Sequence, residues 1–120
     1  MRTVDSCMLP ERVGRILTVY VNRLVHAYGE HLRKILLFGS YARGDYGDES
    51  DIDIMILVDY PREMAYEHKK ELLDITFEIN YNDEVEINPV IQNEAFFNKW
   101  IASYPFYNNV SSEGVELYAA

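Results

Sequence analysis

Cysteine is nearly absent from this chain of 120 residues: Cys7 is the only one, so no disulfide can form within the chain. Apolar runs long enough for a transmembrane helix are missing, and no apolar stretch of signal-peptide length follows Arg2 and Asp5. We therefore expect a cytoplasmic protein that makes no membrane contact. With only 4 Pro and 6 Gly the chain has no linker-like tract, and we expect a single domain over residues 1–120.

Basic residues are also scarce. The chain has 11 Lys and Arg against 20 Asp and Glu, and its formal net charge is -9. Because nucleic-acid-binding proteins place many cations on phosphates, this balance disfavours DNA or RNA as a partner. A small nucleotide remains compatible, since a bound Mg²⁺ would bring the missing positive charge. The 10 Tyr and 5 Phe either fill a small core or form a surface that a second copy or another protein covers.

The hydrophobic pattern predicts alternating helices and strands. Apolar residues recur every three to four positions in the helices, and continuous or alternating apolar runs mark the strands. The predicted helices cover residues 10–28, 61–81 and 93–104, and the predicted strands cover residues 35–38, 51–58 and 84–91, before a tail with a helical turn, a glycine and a last strand. Pro89 favours a sheet edge or a strand end for the third strand. We predict an α+β fold in which a small mixed β-sheet of three to four strands is backed by helices on one face.

The segment between the first two predicted strands has the features of a phosphate-binding turn. Gly39 and Ser40 follow the apolar run 35–38, and the chain continues Tyr-Ala-Arg-Gly. Gly39 lacks a Cβ, so the backbone can approach a ligand closely, and Ser40 offers a hydroxyl and an N–H at a helix start. We predict that Gly39 and Ser40 bind nucleotide phosphates. Arg43 could reach a phosphate or cap a turn, and both roles stay open.

Two aspartates open the next predicted strand. Asp51 and Asp53 stand at positions i and i+2, so their side chains point to the same side of the strand. Mg²⁺ prefers oxygen ligands and commonly takes one or two carboxylates together with substrate phosphates. A turn-capping role would account for Asp51, but Asp is depleted inside strands, and Asp53 lies within an apolar run. We therefore predict that Asp51 and Asp53 are catalytic ligands of Mg²⁺.

A phosphoryl-transfer site with two metal ions needs a further carboxylate. Glu84 and Glu86 alternate with Val85 and Ile87 in the third predicted strand. If the apolar pair faces the helices, Glu86 lies on the same open face as the two aspartates. Glu86 is therefore predicted as the third catalytic and metal-binding carboxylate, with Glu84 in reserve. The alternative is a surface strand whose acidic side chains only face water.

Together these residues resemble the nucleotidyltransferase superfamily that includes DNA polymerase beta. The family pattern is a Gly-Ser, a spacer, an Asp-x-Asp and a later acidic residue, which this sequence matches at Gly39, Ser40, Asp51, Asp53 and Glu86. The Tyr-Ala-Arg-Gly and Ser-Asp-Ile-Asp segments, with the tail around Glu113 and Gly114, are most similar to minimal prokaryotic nucleotidyltransferases. A glutamate, not an aspartate, stands at the third position.

The resemblance implies transfer of a nucleoside monophosphate, usually AMP from ATP or another NTP, to a hydroxyl, with release of pyrophosphate. Minimal members are commonly encoded beside a small helical HEPN protein, and there they can act as antitoxins that adenylylate a tyrosine of the toxin. Two alternatives stay open. One is an adenylyltransferase for a small, antibiotic-type molecule, which larger relatives hold with an added helical domain. The other is an inactive module that binds a helical partner through its tyrosine-rich surface.

Overall fold

The computed structural model describes residues 2–3, 9–65 and 67–120. The strands are β1 (Arg2–Thr3), β2 (Leu32–Phe38), β3 (Ile52–Val58), β4 (Ile87–Asn93) and β5 (Val115–Ala119), and the helices are α1 (Glu11–Tyr28), α2 (Ser40–Arg43), α3 (Arg62–Ala65), α4 (Lys69–Asp83), α5 (Glu94–Trp100) and α6 (Pro105–Glu113). The single cysteine, Cys7, and Tyr66 of the predicted helix 61–81 lie outside the described residues. No helix in the described part of the chain is long and apolar enough to cross a membrane.

The described strands form one mixed sheet in the order β1-β5-β2-β3-β4. The central strands β2 and β3 are antiparallel, and β4 joins β3 in parallel register at the sheet edge. Strand β5 returns from the tail to pair antiparallel with β2, and β1 pairs with β5 in parallel. The predicted mixed sheet is confirmed. It has five described strands where three to four were predicted: β5 is the predicted strand of the tail, and β1 is the strand that was not predicted.

Alternation along β3 divides the sheet into two faces. Ile52, Ile54 and Ile56 pack into the larger core with α1 and α4. Met55 and Leu57 point the other way and pack with Phe97 and Val110 of α5 and α6. This separation of side chains was predicted and is confirmed, as is the α+β class. The two long helices lie on one face as expected, and short helices α5 and α6 add cover on the opposite face.

The chain between β3 and β4 differs from its prediction in two ways. The predicted helix 61–81 is divided into α3 and α4, with a turn at residues 67–68, and α4 continues to Asp83 through the expected turn. The predicted strand 84–91 begins only at Ile87, because Glu84 ends α4 in the left-handed region, with φ 53. Glu84 and Glu86 therefore precede the strand. Pro89 does lie in an edge strand, as predicted.

Candidate active site

The Gly-Ser segment forms a tight turn from a strand into a helix. Gly39 follows β2 with φ 76, a conformation that side-chain-bearing residues rarely adopt, and α2 begins at Ser40. Gly44 ends this single-turn helix in the left-handed region, with φ 90. Ser40 is half-buried, and no described residue hydrogen-bonds to its hydroxyl. The predicted helix start at Ser40 is confirmed.

Gly39 and Asp53 are in direct contact. Phe38, the last residue of β2, is paired in register with Asp53 near the start of β3. A Cβ built on Gly39 would lie 2.3 Å from Oδ2 of Asp53, far inside van der Waals contact. Only glycine lets the turn backbone approach this carboxylate so closely. The Gly-Ser turn and Asp53, 14 residues apart in the numbering of the chain, thus lie together in the fold.

The carboxyl group of Asp53 is in an unfavourable place for a negative charge. Burial raises its pKa above the usual range, and the nearby Asp51 carboxylate raises it further. Arg43 and a hydrogen bond from Asn88 oppose these effects, whereas Glu113 adds to them. Since the net shift of the pKa is upward, the ionised form of the carboxyl group is destabilised in this position. A cation bound here would stabilise it.

Asp51 and Glu86 border a cavity that Asp53 does not line. Both are exposed, and both line a surface cavity of about 480 Å³ together with Glu84, Ser50 and Tyr41. The backbone N–H of Ile52, between the two aspartates, donates to the Glu86 carbonyl at 2.8 Å. The predicted third carboxylate is thus close in the fold to Asp51. Its reserve, Glu84, lines the same cavity.

Arg43 is held by two carboxylates. Its Nε donates to Asp45 at 3.2 Å, and its Nη1 donates to both oxygens of Glu113 at 3.2 and 3.3 Å. These hydrogen bonds raise the pKa of Arg43 above its already high value, so the guanidinium stays charged. The side chain remains 46% exposed, which leaves part of the cation open to a further anion.

Two residues of this region were not predicted as site residues. Asn88 is paired in register with Asp53, whereas the predicted third carboxylate, Glu86, precedes the strand. Its signal was its position two residues after Glu86, on the same strand face. Glu113 comes from the end of α6 and accepts a hydrogen bond from the backbone N–H of Gly39 at 3.0 Å. A glutamate directly before a glycine and a final strand was its only local signal.

The described residues contain no group of three or more His, Cys, Asp or Glu side chains arranged to hold a metal ion. Asp51 and Asp53 nevertheless offer the hard oxygen donors that Mg²⁺ prefers. The pKa of Asp53 is shifted upward, first by burial and then by the neighbouring Asp51 carboxylate, and a cation at this position would favour the ionised form. Asp51 and Asp53 are therefore the side chains that would hold the ion.

The fold and the turn facing an Asp-x-Asp define the class of the protein as a nucleotidyltransferase. The Nucleotidyltransferase domain family matches residues 20–104. This match spans more than half of the chain, and the chain belongs to that family. The resemblance seen in the sequence is thereby confirmed.

Relatives with curated names are similar over most of the chain. Two proteins of Methanocaldococcus jannaschii bear the name "Putative protein adenylyltransferase". MJ0604 is 42% identical over 99 residues, covering 82% of this chain and 91% of that protein. MJ0141 is 36% identical over 89 residues, covering 73% and 81%. The chain is thus similar to proteins whose name assigns them transfer of an adenylyl group to a protein.

Solved structures show the same fold. A structure described as a "putative nucleotidyltransferase from Sulfolobus solfataricus" aligns with a TM-score of 0.56 at 22% identity, covering 73% of this chain and 75% of that one. A chain in a toxin-antitoxin complex solved with AMP-PNP aligns with a TM-score of 0.54 at 21% identity, covering 85% and 73%. At these identities the likeness establishes the fold.

Proposed function

We propose that this protein is a Mg²⁺-dependent adenylyltransferase that moves AMP from ATP to a tyrosine hydroxyl of a helical, HEPN-type partner protein, in an antitoxin role. Membership of the nucleotidyltransferase family gives the reaction class. The relatives named as protein adenylyltransferases support AMP as the group and protein as the acceptor. The toxin-antitoxin complex with a related fold motivates the choice of partner.

The contact between Gly39 and Asp53 is the observation that carries the proposal. It joins a turn suited to phosphate oxygens to a carboxylate suited to a cation, with 2.3 Å between Oδ2 and the position of a Cβ at Gly39. A metal-bound triphosphate needs both features side by side. A turn that served only to connect two strands would have no need for a destabilised carboxylate against its backbone.

Each residue has a distinct role in the proposed site. The Ser40 hydroxyl and the start of α2 bind phosphate oxygens, and the exposed part of Arg43 adds a fixed positive charge. Asp51 and Asp53 hold Mg²⁺, which when bound neutralises phosphate charge and orients the triphosphate. Glu86, with Glu84 in reserve, is placed near Asp51 to accept a proton.

The reaction balances as a displacement at the α-phosphorus. The acceptor oxygen forms a bond to the α-phosphorus. At the same time the bond breaks between the α-phosphorus and the oxygen that bridges it to the β-phosphorus. Pyrophosphate leaves with the bridging oxygen and its electron pair, and the tyrosine proton passes to the carboxylate base. The products are the AMP-tyrosine ester and pyrophosphate.

An aromatic surface beside the site suits a protein acceptor. Phe106 at the start of α6 is 45% exposed, and its ring meets Phe38 of β2 edge to face, with 5.6 Å between centroids. Tyr104, two residues earlier in the chain, is 44% exposed and stacks on Trp100. Exposed aromatic side chains are enriched where protein partners bind. This surface would bring a partner close to Gly39, which directly follows Phe38.

The inactive binding module is the second candidate, and Asn88 favours it. An amide beside Asp53 cannot supply the third negative charge that a site with two metal ions requires. Such a protein would keep the aromatic surface and bind its partner without transferring AMP.

The test is to incubate the protein with MgATP and a helical candidate partner, a HEPN-type protein where a neighbouring gene encodes one, and to record intact masses. We expect the partner to gain one or more AMP units, and no gain with Asp51→Ala. A stable complex without any mass change would establish the binding module instead. Modification of a small-molecule acceptor, with the partner left unmodified, would establish the antibiotic-type activity.

A further inference from the structure

Glu113 connects three separate segments of the chain. It lies at the end of α6, directly before Gly114 and β5. Its Oε1 accepts a hydrogen bond from the backbone N–H of Gly39 at 3.0 Å, and both carboxylate oxygens accept from Nη1 of Arg43. Its backbone carbonyl accepts from Nη2 of Arg2 at 2.9 Å. The C-terminal segment thus contacts both the start and the end of the phosphate-binding turn.

Helix α2 needs support of this kind. A single turn of four residues closes too few hydrogen bonds to repay the cost of its nucleation. No side chain caps its start. Glu113 bonds to the backbone before the helix and to the last side chain of the helix, while Arg2 donates to the carbonyl of Ala42. The shape of the turn therefore depends on residues far away in the sequence.

We propose that Glu113 is a positioning residue for nucleotide binding, which holds the turn at Gly39 and aims the guanidinium of Arg43 at the phosphates. This inference rests on the proposed function, since it assigns Gly39 and Arg43 to a bound triphosphate. Glu113 itself does not contact the nucleotide. It acts through the two groups to which it bonds.

The exposures of the two side chains fit this role. Glu113 is 22% exposed and Arg43 is 46% exposed, so the carboxylate sits behind the cation. The bonds from Glu113 use the Gly39 N–H and one nitrogen of Arg43, and they leave the Ser40 hydroxyl open. If Glu113 instead occupied the phosphate site as an internal competitor, it would have to leave before the nucleotide could bind.

Removing the negative charge of Glu113 changes the nucleotide affinity in opposite directions under the two roles, positioning residue and internal competitor. Loss of a negative charge next to a polyanion site would by itself tighten nucleotide binding. Loss of a positioning contact weakens it, because Arg43 must then be ordered when the ligand binds. The affinity for α,β-methylene-ATP with Mg²⁺, measured by titration calorimetry, separates these outcomes, since this analogue cannot release pyrophosphate.

We expect Glu113→Ala to weaken binding of this analogue about tenfold, the change from losing one charge-assisted hydrogen-bond arrangement. Glu113→Gln keeps an oxygen for the Gly39 N–H but loses the ion pair, and we expect about a threefold loss. This partial rescue by the conservative variant ties the effect to the contacts of the side chain. Should Glu113→Ala fail to fold, Glu113→Gln alone shows whether the affinity for α,β-methylene-ATP falls or rises.

Glu116→Gln is the matched control. Glu116 lies in β5, has a similarly low exposure of 26%, and pairs with Lys34 at 3.6 Å, away from the turn. Glu116→Gln removes one negative charge, as Glu113→Gln does, at a position three residues further along the chain. We expect it to leave binding of α,β-methylene-ATP unchanged or slightly tighter. Equal weakening in Glu113→Gln and Glu116→Gln would overturn the inference.

A double-mutant cycle tests whether the effect passes through Arg43. In an Arg43→Ala background, we expect Glu113→Gln to change the affinity less than twofold, because the partner is already gone. In the transfer assay, the KM for ATP should rise by the same factor as the Kd, while kcat changes little. Tighter binding in Glu113→Gln, or a full independent loss in the Arg43→Ala background, would refute the positioning role. No binding by the unmodified protein would instead refute the proposed function.

Discussion

Asp53 lies opposite Asn88 in the parallel register of β3 and β4, and the Asn88 side chain partly offsets the rise in the pKa of Asp53 that burial causes. An amide, and neither of the predicted glutamates Glu86 and Glu84, thus lies beside Asp53. Glu86 precedes β4 and lines a cavity with Asp51 instead. The two aspartates therefore have different polar neighbours, which allows their roles to be separated by substitution.

Substitutions at Glu86 and Asn88 should show whether the polar neighbour of Asp51 or that of Asp53 takes part in AMP transfer. Asp51→Ala or Asp53→Ala should abolish AMP transfer, because positioning of the metal-bound phosphates is most of the catalysis in this chemistry. We expect Glu86→Gln to slow transfer by about a hundredfold, as loss of a general base does, while the Kd for Mg²⁺ and α,β-methylene-ATP stays within about twofold. Rate and affinity measured on the same preparations check this.

Asn88→Asp provides the complementary change. Placing a carboxylate beside Asp53 should lower the melting temperature without metal, through added repulsion, and should increase the rise on adding Mg²⁺. Full activity in Glu86→Gln would move the base to Glu84 or remove it from the mechanism. An unchanged response to Mg²⁺ in Asn88→Asp would show that the ion is not held near Asp53.

The local parts of the site could be predicted from the sequence. The Gly-Ser turn and the two aspartates lie next to strands whose apolar runs are unambiguous, and alternation alone assigns Asp53 and Met55 to one face of β3. The register of β4 could not be predicted, because it depends on where α4 ends. There the Asn80 side chain bonds to the N–H and the carbonyl of Ile87 at 2.8 and 3.2 Å.

Contacts between residues far apart in the chain, such as the one between Glu113 and Gly39, could not be predicted from the sequence either. Glu113 accepts a hydrogen bond from the backbone N–H of Gly39, which lies 74 positions away in the chain. Nothing local in the sequence of α6 indicates that its last carboxylate will face this turn. The pairing of β5 with β2 brings them together, and that pairing is a property of the whole sheet.

Asp53→Asn should stabilise the protein at neutral pH when no metal is present. The pKa of Asp53 is raised above its ordinary value of 3.8, first of all by burial. The folded state therefore binds this proton more tightly than the unfolded state, and its contribution to stability is fully present below pH 3.8 and is lost as pH rises through the folded pKa. Removing the charge recovers that loss.

Melting curves from pH 4 to pH 8 test this expectation. At pH 7 we expect Asp53→Asn to melt higher by no more than about 5 °C, because a partly exposed carboxylate contributes less than about 1 kcal/mol. The gain should shrink toward pH 4. Asp48→Asn, at an exposed position of the neighbouring cavity, is the control, and an equal gain there would attribute the effect to the net charge of the whole protein.

MgATP should stabilise the protein, whereas ATP with a chelator should not. A ligand that binds only the folded state at a hundredfold excess over its Kd adds about 2.7 kcal/mol to the free energy of unfolding. Asp51 and Asp53 require the cation before the triphosphate can approach, because their charges would otherwise repel it. Thermal melts with MgATP, and with ATP and EDTA, measure this difference. An equal rise with MgATP in Asp53→Asn would contradict the assignment of the metal site.

Gly39→Ala should be more harmful than any other glycine-to-alanine change near the site. The new Cβ would lie 2.3 Å from Oδ2 of Asp53, and the φ of 76 is strained for alanine whatever the space. With ψ at -157 as well, this backbone conformation is one that essentially only glycine adopts, and it costs another residue about 1–3 kcal/mol. Asp53 must also move, so we expect a lower melting temperature together with loss of AMP transfer.

Gly47→Ala is the matched control for this change. Gly47 lies in the same connection between β2 and β3, has no positive φ, and a Cβ there would meet nothing within 4 Å. We expect it to alter stability by less than about 0.5 kcal/mol and to keep full activity. The two variants are compared by thermal melts and by intact-mass measurement of the modified partner. If Gly39→Ala retained transfer at the rate of Gly47→Ala, the close approach of the turn to Asp53 would have no part in catalysis, and the proposed site would have to be abandoned.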